Sequence, residues 1–154
     1  MHLLGFDVVM TREDDRSIHD SDAQTLREQK VSDMHNRLAM YEQATLVVSI
    51  HQNQFSQSQY SGTQVFWSPG HADSERLAGD IREAVLALLQ PEKTRALKRA
   101  DDSLFLLANT TVPTALVECG FLSNPAECAQ LADANYQRQM AFAVARGVAL
   151  FAQS

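Results

Sequence analysis

Several absences restrict what kind of protein this 154-residue chain can be. No apolar run approaches the ~18 residues that a membrane-spanning helix needs, so the sequence predicts no transmembrane segment. No cluster of basic residues is present either. The formal net charge is −6, and the densest basic group, Arg95, Lys98 and Arg99, is followed at once by Asp101 and Asp102. Because a nucleic-acid-binding protein carries a basic patch, we expect no nucleic-acid partner.

Cysteine is scarce, and the sequence contains no self-contained metal-binding motif. Cys119 and Cys128 form neither a CxxC pair nor a disulfide framework. Neither HExxH nor HxH occurs, so spacing alone does not reveal a zinc site. Four of the five histidines lie in contexts that do not indicate a ligand: His2, His19, His35 and His71.

The N-terminus, Met1 to Asp7, has no basic region, no adequate apolar region and no small-residue cleavage site, so we expect no signal peptide in this chain. A content of 45% hydrophobic and 21% charged residues is typical of a globular protein. The length fits one domain, which we place at residues 1–154.

Short apolar runs alternate with amphipathic segments along the chain. The apolar runs predict strands at 6–10, 46–51, 63–67, 104–107 and 114–118. Apolar residues at helical spacing predict a helix from Val31 to about Ala44, another from about Ser74 that ends before Pro91, and a last one over 136–151. Asn124, followed by Pro125 and then Glu127, indicates a further helix start. This order predicts an α/β fold with a mostly parallel or mixed sheet flanked by helices.

Two of the predicted strands end on residues capable of hydrolytic chemistry. The run 46–50 leads into His51, and the run 115–117 leads into Glu118. Ligands of open α/β sheets bind beyond the carboxyl ends of the strands, so we expect both side chains to face one crevice. A buried carboxylate is costly unless it is paired, metal-bound or functional. An imidazole ligand and a carboxylate base are parts that a zinc hydrolase uses.

Four segments of the chain resemble one family. They are Ser49-Ile50-His51-Gln52-Asn53, Gly62-Thr63-Gln64-Val65-Phe66, Lys98-Arg99-Ala100-Asp101 and, most specifically, the block from Pro113 to Asn124 that contains Val117-Glu118-Cys119-Gly120-Phe121-Leu122. They resemble the zinc-dependent N-acetylmuramoyl-L-alanine amidases of the amidase-3 type, including the spore-germination amidases. The order and spacing agree from about Val8 to Phe151.

The resemblance implies a peptidoglycan hydrolase of the bacterial cell envelope. Its substrate would be peptidoglycan or a muropeptide, its cofactor Zn²⁺, its metal ligand His51 and its catalytic glutamate Glu118. In that family a Gly-His-Gly-Gly motif on the first strand and a Glu on the next helix supply the other zinc ligands. This chain begins after both, so the resemblance implies a domain that is N-terminally truncated relative to the family and lacks two of its zinc ligands, which leaves the activity of the chain as given open.

Two alternatives to a zinc amidase stay open at this point. The first is a non-catalytic cell-wall-binding or regulatory relative of the amidases, which would bind muropeptide without cleaving it. The second is a thiol hydrolase in which Cys119 is the nucleophile and His51 its base. A thiol at the end of a buried strand is more often a small apolar filler. This favours the zinc amidase and the non-catalytic relative over the thiol hydrolase.

Overall fold

The computed structural model describes residues 1, 4–92 and 95–153, so His2 and Lys93 lie outside the described residues. Its elements alternate as an α/β chain. In order they are α1 (Leu26–Tyr41), β1 (Val47–Asn53), β2 (Gln64–Trp67), α2 (Ser74–Leu88), β3 (Lys98–Arg99), α3 (Phe105–Asn109), β4 (Thr114–Phe121), α4 (Pro125–Ala132) and α5 (Ala134–Gln153).

The strands described form a mixed four-stranded sheet in the order β1-β4-β2-β3. β1 runs parallel to β4, and β2 runs parallel to β3, whereas β2 and β4 are antiparallel. The predicted α/β class with a mixed sheet is confirmed. β4 lies between β1 and β2, and its residues are nearly all buried, as its continuous apolar run requires.

Helices cover both faces of the sheet. On one face, α2 and α5 pack against Val65, Val117 and Cys119 to form the main core. α5 approaches α2 closely at Gly147, where an added Cβ would lie 2.7 Å from the backbone nitrogen of Ile81. A smaller cluster on the opposite face joins Leu116 to residues of α3. Successive side chains of β4 therefore alternate between two differently covered faces.

The first helix starts earlier than its apolar spacing predicts. Thr25 caps α1 by accepting from the backbone N–H of Glu28, and the Glu28 side chain accepts in return from the backbone N–H of Thr25. This capping box satisfies two donors that the first turn leaves without partners, so the helix begins at Leu26. The prediction located the apolar face, which begins at Val31, but not the polar first turn.

Two predicted strands are wrong. Residues 6–10 form no strand, although their backbone lies within the described residues. The run 104–107 lies instead at the start of α3, and the short strand β3 at Lys98–Arg99 precedes it. A short apolar run does not distinguish a strand from one turn of buried helix. A strand also needs a neighbour to satisfy its backbone groups, and the local sequence does not specify that neighbour.

The other predicted elements are confirmed with small shifts of boundary. The strands at 46–51, 63–67 and 114–118 correspond to β1, β2 and β4, and β4 continues to Phe121. The helices predicted from Ser74, from Asn124 and over 136–151 correspond to α2, α4 and α5. None of the helices described is long and apolar enough to cross a membrane.

Candidate active site

His51 and Glu118 lie side by side in the sheet. They are directly paired in the parallel register of β1 and β4, so their side chains project from the same face. Neighbouring strands are about 4.8 Å apart, which brings the imidazole and the carboxylate within reach of one small ligand. On the other side of Glu118, the antiparallel register pairs it with the buried Gln64 of β2. The sequence placed both residues at strand ends, but β1 continues to Asn53 and β4 to Phe121, so both lie within their strands. The register still puts the two side chains next to each other on one face of the sheet.

The Glu118 carboxylate is half-buried and incompletely satisfied. Its Oε2 is a buried oxygen with no hydrogen-bond partner in the described part of the chain. Burial disfavours the charged form and raises the pKa of Glu118 above its ordinary value. A carboxylate with a raised pKa and a free buried oxygen is suited to accept a proton from a bound water or to face a cation.

His51 is more exposed and lies on the edge strand β1. The protein atoms around it partly desolvate the imidazolium and lower the pKa of His51, and the positive charge of Arg37 lowers it further. Both effects favour neutral imidazole. Neutral imidazole is the form that binds a metal, so this environment suits the ligand role predicted for His51.

Residues of α1 form a polar wall beside His51. Arg37 forms an ion pair with the buried Asp33 one turn earlier, with 2.6 Å between Nε and Oδ2, and donates to the Thr11 hydroxyl. Tyr41, which is also buried, hydrogen-bonds to Ser49, a residue two positions before His51 on the same strand face. The sequence indicated α1 as an amphipathic helix but did not reveal that its polar side borders the site.

The donors described fit only part of a zinc site. Catalytic zinc takes three protein ligands and an open position. Among residues 1, 4–92 and 95–153, no group of three or more His, Cys, Asp and Glu side chains is placed to hold a metal. His51 thus provides one imidazole donor beside the Glu118 carboxylate, and these two residues alone do not complete the site.

Cys119 is not placed for catalysis. It is 3% exposed and packs with Val117 in the main core, on the face of β4 opposite to Glu118. Burial and the nearby negative charge of Glu118 raise the pKa of the Cys119 thiol to about 11. A nucleophilic cysteine needs a lowered pKa, so the structure argues against the thiol hydrolase and supports the filler role.

The remaining described histidines also lie outside the site. His35 packs its ring edge against Phe105 at 5.3 Å between centroids. His71 accepts from the backbone N–H of Asp73, and His19 contacts the Ser17 hydroxyl. Each has a local structural contact.

Glu127 lies near the site and holds two backbone segments together, a role that the sequence did not reveal. Its carboxylate is 4% exposed, and it accepts from the backbone N–H of Gly62 at 2.7 Å and of Phe121 at 2.9 Å. It thereby links the end of the 54–62 loop to the end of β4, three residues after Glu118. The helix start predicted at Asn124 is confirmed, since Asn124 caps α4. The long-range bonds of the Glu side chain that follows have no local signal in the sequence.

A polar loop at 54–62 follows β1 and borders the same end of the sheet. Phe55 donates its backbone N–H to Ser123, and the Asn124 side chain donates to the Tyr60 carbonyl at 3.3 Å. A bulge between β1 and β4 separates the pair His51–Glu118 from the pair Asn53–Phe121. The bulge re-aims the strand ends, a common feature beside functional sites.

Comparison of the chain with known proteins identifies its relatives. Residues 1–149 match the amidase-3 family model, described as N-acetylmuramoyl-L-alanine amidase. The chain is 33% identical over 143 residues to the germination-specific N-acetylmuramoyl-L-alanine amidase of Bacillus subtilis (strain 168), an alignment that covers 92% of this chain and 60% of the relative. The chain therefore spans about three-fifths of the length of that curated relative.

Solved structures show the same fold. The CwlD amidase from Clostridioides difficile, determined in complex with the GerS lipoprotein, superposes with a TM-score of 0.88 at 35% identity, over 94% of this chain and 75% of that chain. The amidase AmiC2 of Nostoc punctiforme superposes with a TM-score of 0.71 at 29% identity, over 78% of this chain and 66% of that one. With the family match over residues 1–149, these likenesses establish that the chain belongs to the amidase-3 family of N-acetylmuramoyl-L-alanine amidases.

Proposed function

We propose that this chain forms all or part of one catalytic domain, within residues 1–154, that cleaves the amide bond between N-acetylmuramic acid and L-alanine in peptidoglycan. The observation that carries the proposal is the pairing of His51 with Glu118 in one register of a family-typical sheet, with a buried carboxylate oxygen left without a partner. Because the substrate belongs to the bacterial cell wall, we expect the protein to act outside the cytoplasm.

The proposed reaction is hydrolysis with Glu118 as the proton carrier. The Glu118 carboxylate accepts a proton from the attacking water, whose oxygen forms the new bond to the lactyl carbonyl carbon. When the carbon–nitrogen bond breaks, the same carboxyl returns the proton to the departing amine of L-alanine. Its raised pKa brings the carboxyl closer to the range where it exchanges protons at neutral pH.

The cofactor proposed from family membership is Zn²⁺, with His51 as one of its ligands. The chemistry that zinc supplies in such hydrolases is polarisation of the carbonyl and a lowered pKa of water. Since the described residues contribute one imidazole donor, we assign no further ligand.

The likeness to an amidase solved in complex with a lipoprotein also makes a lipoprotein a candidate partner.

Two substitutions test the assignment. Glu118→Gln keeps the size of the side chain but removes the base, so we expect a loss of about 10²–10⁴-fold in the rate of amide cleavage, typical of general acid–base catalysis. His51→Ala removes a ligand, so we expect both zinc retention and cleavage to fall. Release of the free amine of L-alanine from a soluble muropeptide, followed by mass spectrometry, measures cleavage, and metal analysis of the dialysed protein measures zinc.

The outcomes distinguish the zinc amidase from the two alternative hypotheses. Undiminished cleavage by Glu118→Gln would refute the base assignment. Muropeptide binding by the wild-type chain without cleavage, even with added zinc, would support the non-catalytic cell-wall-binding relative instead. Loss of cleavage on thiol alkylation with indifference to chelators would restore the thiol hydrolase.

A further inference from the structure

An exposed aromatic cluster lies next to the proposed active site. Phe55 is 51% exposed and Tyr60 is 38% exposed, and their rings meet edge to face at 4.9 Å between centroids. Tyr60 in turn lies 6.2 Å from Phe121, the last residue of β4. Burial of aromatic rings stabilises proteins strongly, so a pair left this exposed beside a site indicates a surface for binding.

A guanidinium group completes this cluster. The Arg95 guanidinium lies 4.7 Å from the centroid of Phe121 and 5.6 Å from that of Tyr60. Its Nε donates to the Ser61 carbonyl at 2.9 Å, which fixes the plane of the fork. Of the residues that the structure describes, none accepts from its two outer nitrogens. Arginine supplies five N–H donors, so a stacked and oriented fork keeps several of them available for an anion.

We propose that Phe55, Tyr60 and Arg95 form a substrate subsite that binds a carboxylate-bearing portion of the peptide attached to the scissile amide. The inference rests on the proposed function and deepens it. The bulge pairs Phe121 with Asn53, two residues beyond the His51–Glu118 pair on the same face of β1, which is about 7 Å at the rise of a strand. An extended peptide covers that distance in about two residues, so the carboxylate bound by Arg95 lies about two residues from the cleaved bond.

The chemistry of the cluster fits this ligand. A guanidinium fork binds a carboxylate through two parallel charge-assisted hydrogen bonds. The chain as a whole carries a net charge of −6, which repels an anion, so the positive charge of Arg95 supplies the local attraction. The ring faces of Tyr60 and Phe55 offer apolar area to the aliphatic parts of the peptide. Stem peptides of peptidoglycan carry both carboxyl groups and aliphatic side chains.

The sheet offers a matched control at its opposite end. Arg99 is exposed and lies over the ring of Trp67 at 5.9 Å, so it makes the same type of cation–π contact. Trp67 pairs with Ala115 at the start of β4, whereas the Arg95 cluster lies beyond its end. Arg99→Gln therefore changes the net charge and the stacking in the same way as Arg95→Gln, away from the proposed subsite.

Binding is measured in the Glu118→Gln background, which keeps the ligand intact. The probes are a disaccharide–peptide muropeptide with free carboxyl groups and the same muropeptide with those groups amidated, titrated by calorimetry. We expect Arg95→Gln to weaken binding of the acidic muropeptide by about 10-fold or more, since it removes a charge-assisted pair. Arg95→Lys, which keeps the charge but loses the fork, should weaken it less. The amidated muropeptide should bind Arg95→Gln and its parent equally, and Arg99→Gln should bind both ligands as the parent does.

Each other result overturns a defined part of the reasoning. If Arg95→Gln binds the acidic muropeptide as tightly as its parent, or weakens both ligands equally, the carboxylate subsite is wrong and Arg95 only supports the loop. If the parent binds no muropeptide, the subsite and the proposed substrate fail together. If the expected binding pattern holds while the wild-type chain cleaves nothing, only the proposed catalytic function fails.

Discussion

The buried carboxylate of Glu127 gives a sharp test of how the strand end is held. Glu127→Ala removes the acceptor of two backbone N–H groups, those of Gly62 and Phe121, at 2.7 and 2.9 Å. Both donors lie in a region that the folded chain closes to solvent, and Glu127 itself is 4% exposed. The substitution therefore leaves two buried N–H donors without an acceptor, and this costs more free energy of unfolding than losing an exposed hydrogen bond.

The size of the effect follows from those two bonds. A hydrogen bond to a charged group contributes about 1.5–3 kcal/mol, so the pair contributes about 3–6 kcal/mol, and we expect about 3–4 after water enters the space left by the side chain. A domain of this type has a total stability of about 5–15 kcal/mol. At roughly 2–4 °C per kcal/mol for a domain of about 150 residues, the midpoint of thermal unfolding should fall by about 10 °C.

Urea and thermal unfolding followed by circular dichroism measure this change. Glu127→Gln keeps one carbonyl oxygen as an acceptor, so it should lose about half as much as Glu127→Ala. Glu75→Ala, in the exposed first turn of α2, is the control and should cost less than about 1 kcal/mol. A Glu127→Ala protein no less stable than this control would refute the account of the strand end.

Three further changes test other parts of the fold. Gly147→Ala should destabilise by about 1–3 kcal/mol in urea unfolding because its methyl group meets the α2 backbone. At Gly79 an added Cβ would make only an ordinary contact, 3.8 Å from Leu97 Cδ1, so Gly79→Ala should stabilise by about 0.5–1 kcal/mol. Equal effects of the two substitutions would disprove the close helix contact. The hydrogen-bonded ion pair with Arg37 holds the pKa of Asp33 below its ordinary value. The ion pair therefore stabilises the fold above about pH 4, and this stabilisation is lost as the pH falls through the lowered pKa. Asp33→Asn should reduce the loss of stability in acid, measured by unfolding at several pH values. Iodoacetamide at mildly alkaline pH should modify the exposed Cys128 and leave Cys119 unreacted in the folded chain, as peptide mass spectrometry would show; rapid labelling of Cys119 would contradict its burial and its raised pKa.

Local patterns predicted the parts of the fold that depend on local energetics. The apolar run before Glu118 predicted a buried strand because a strand covered on both faces needs continuous apolar residues, and the stripe from Tyr136 to Phe151 predicted α5 because one helix face must meet the core. The same reasoning failed at 6–10 and 104–107. There, whether an apolar segment becomes a strand depends on a neighbour that satisfies its backbone, and nothing in the segment itself encodes that neighbour.

For the site, the sequence by itself determined which chemical groups are available: an imidazole after one apolar run, a carboxylate after another and a specific block of residues around the second. Only the tertiary structure decided that His51 and Glu118 share one register, and that Cys119 faces the core. It alone brings Glu127 and Arg95 to the end of the same sheet. The physical reason is that strand pairing and the two-residue alternation of a strand set distances between side chains far apart in sequence, and those contacts leave no local pattern.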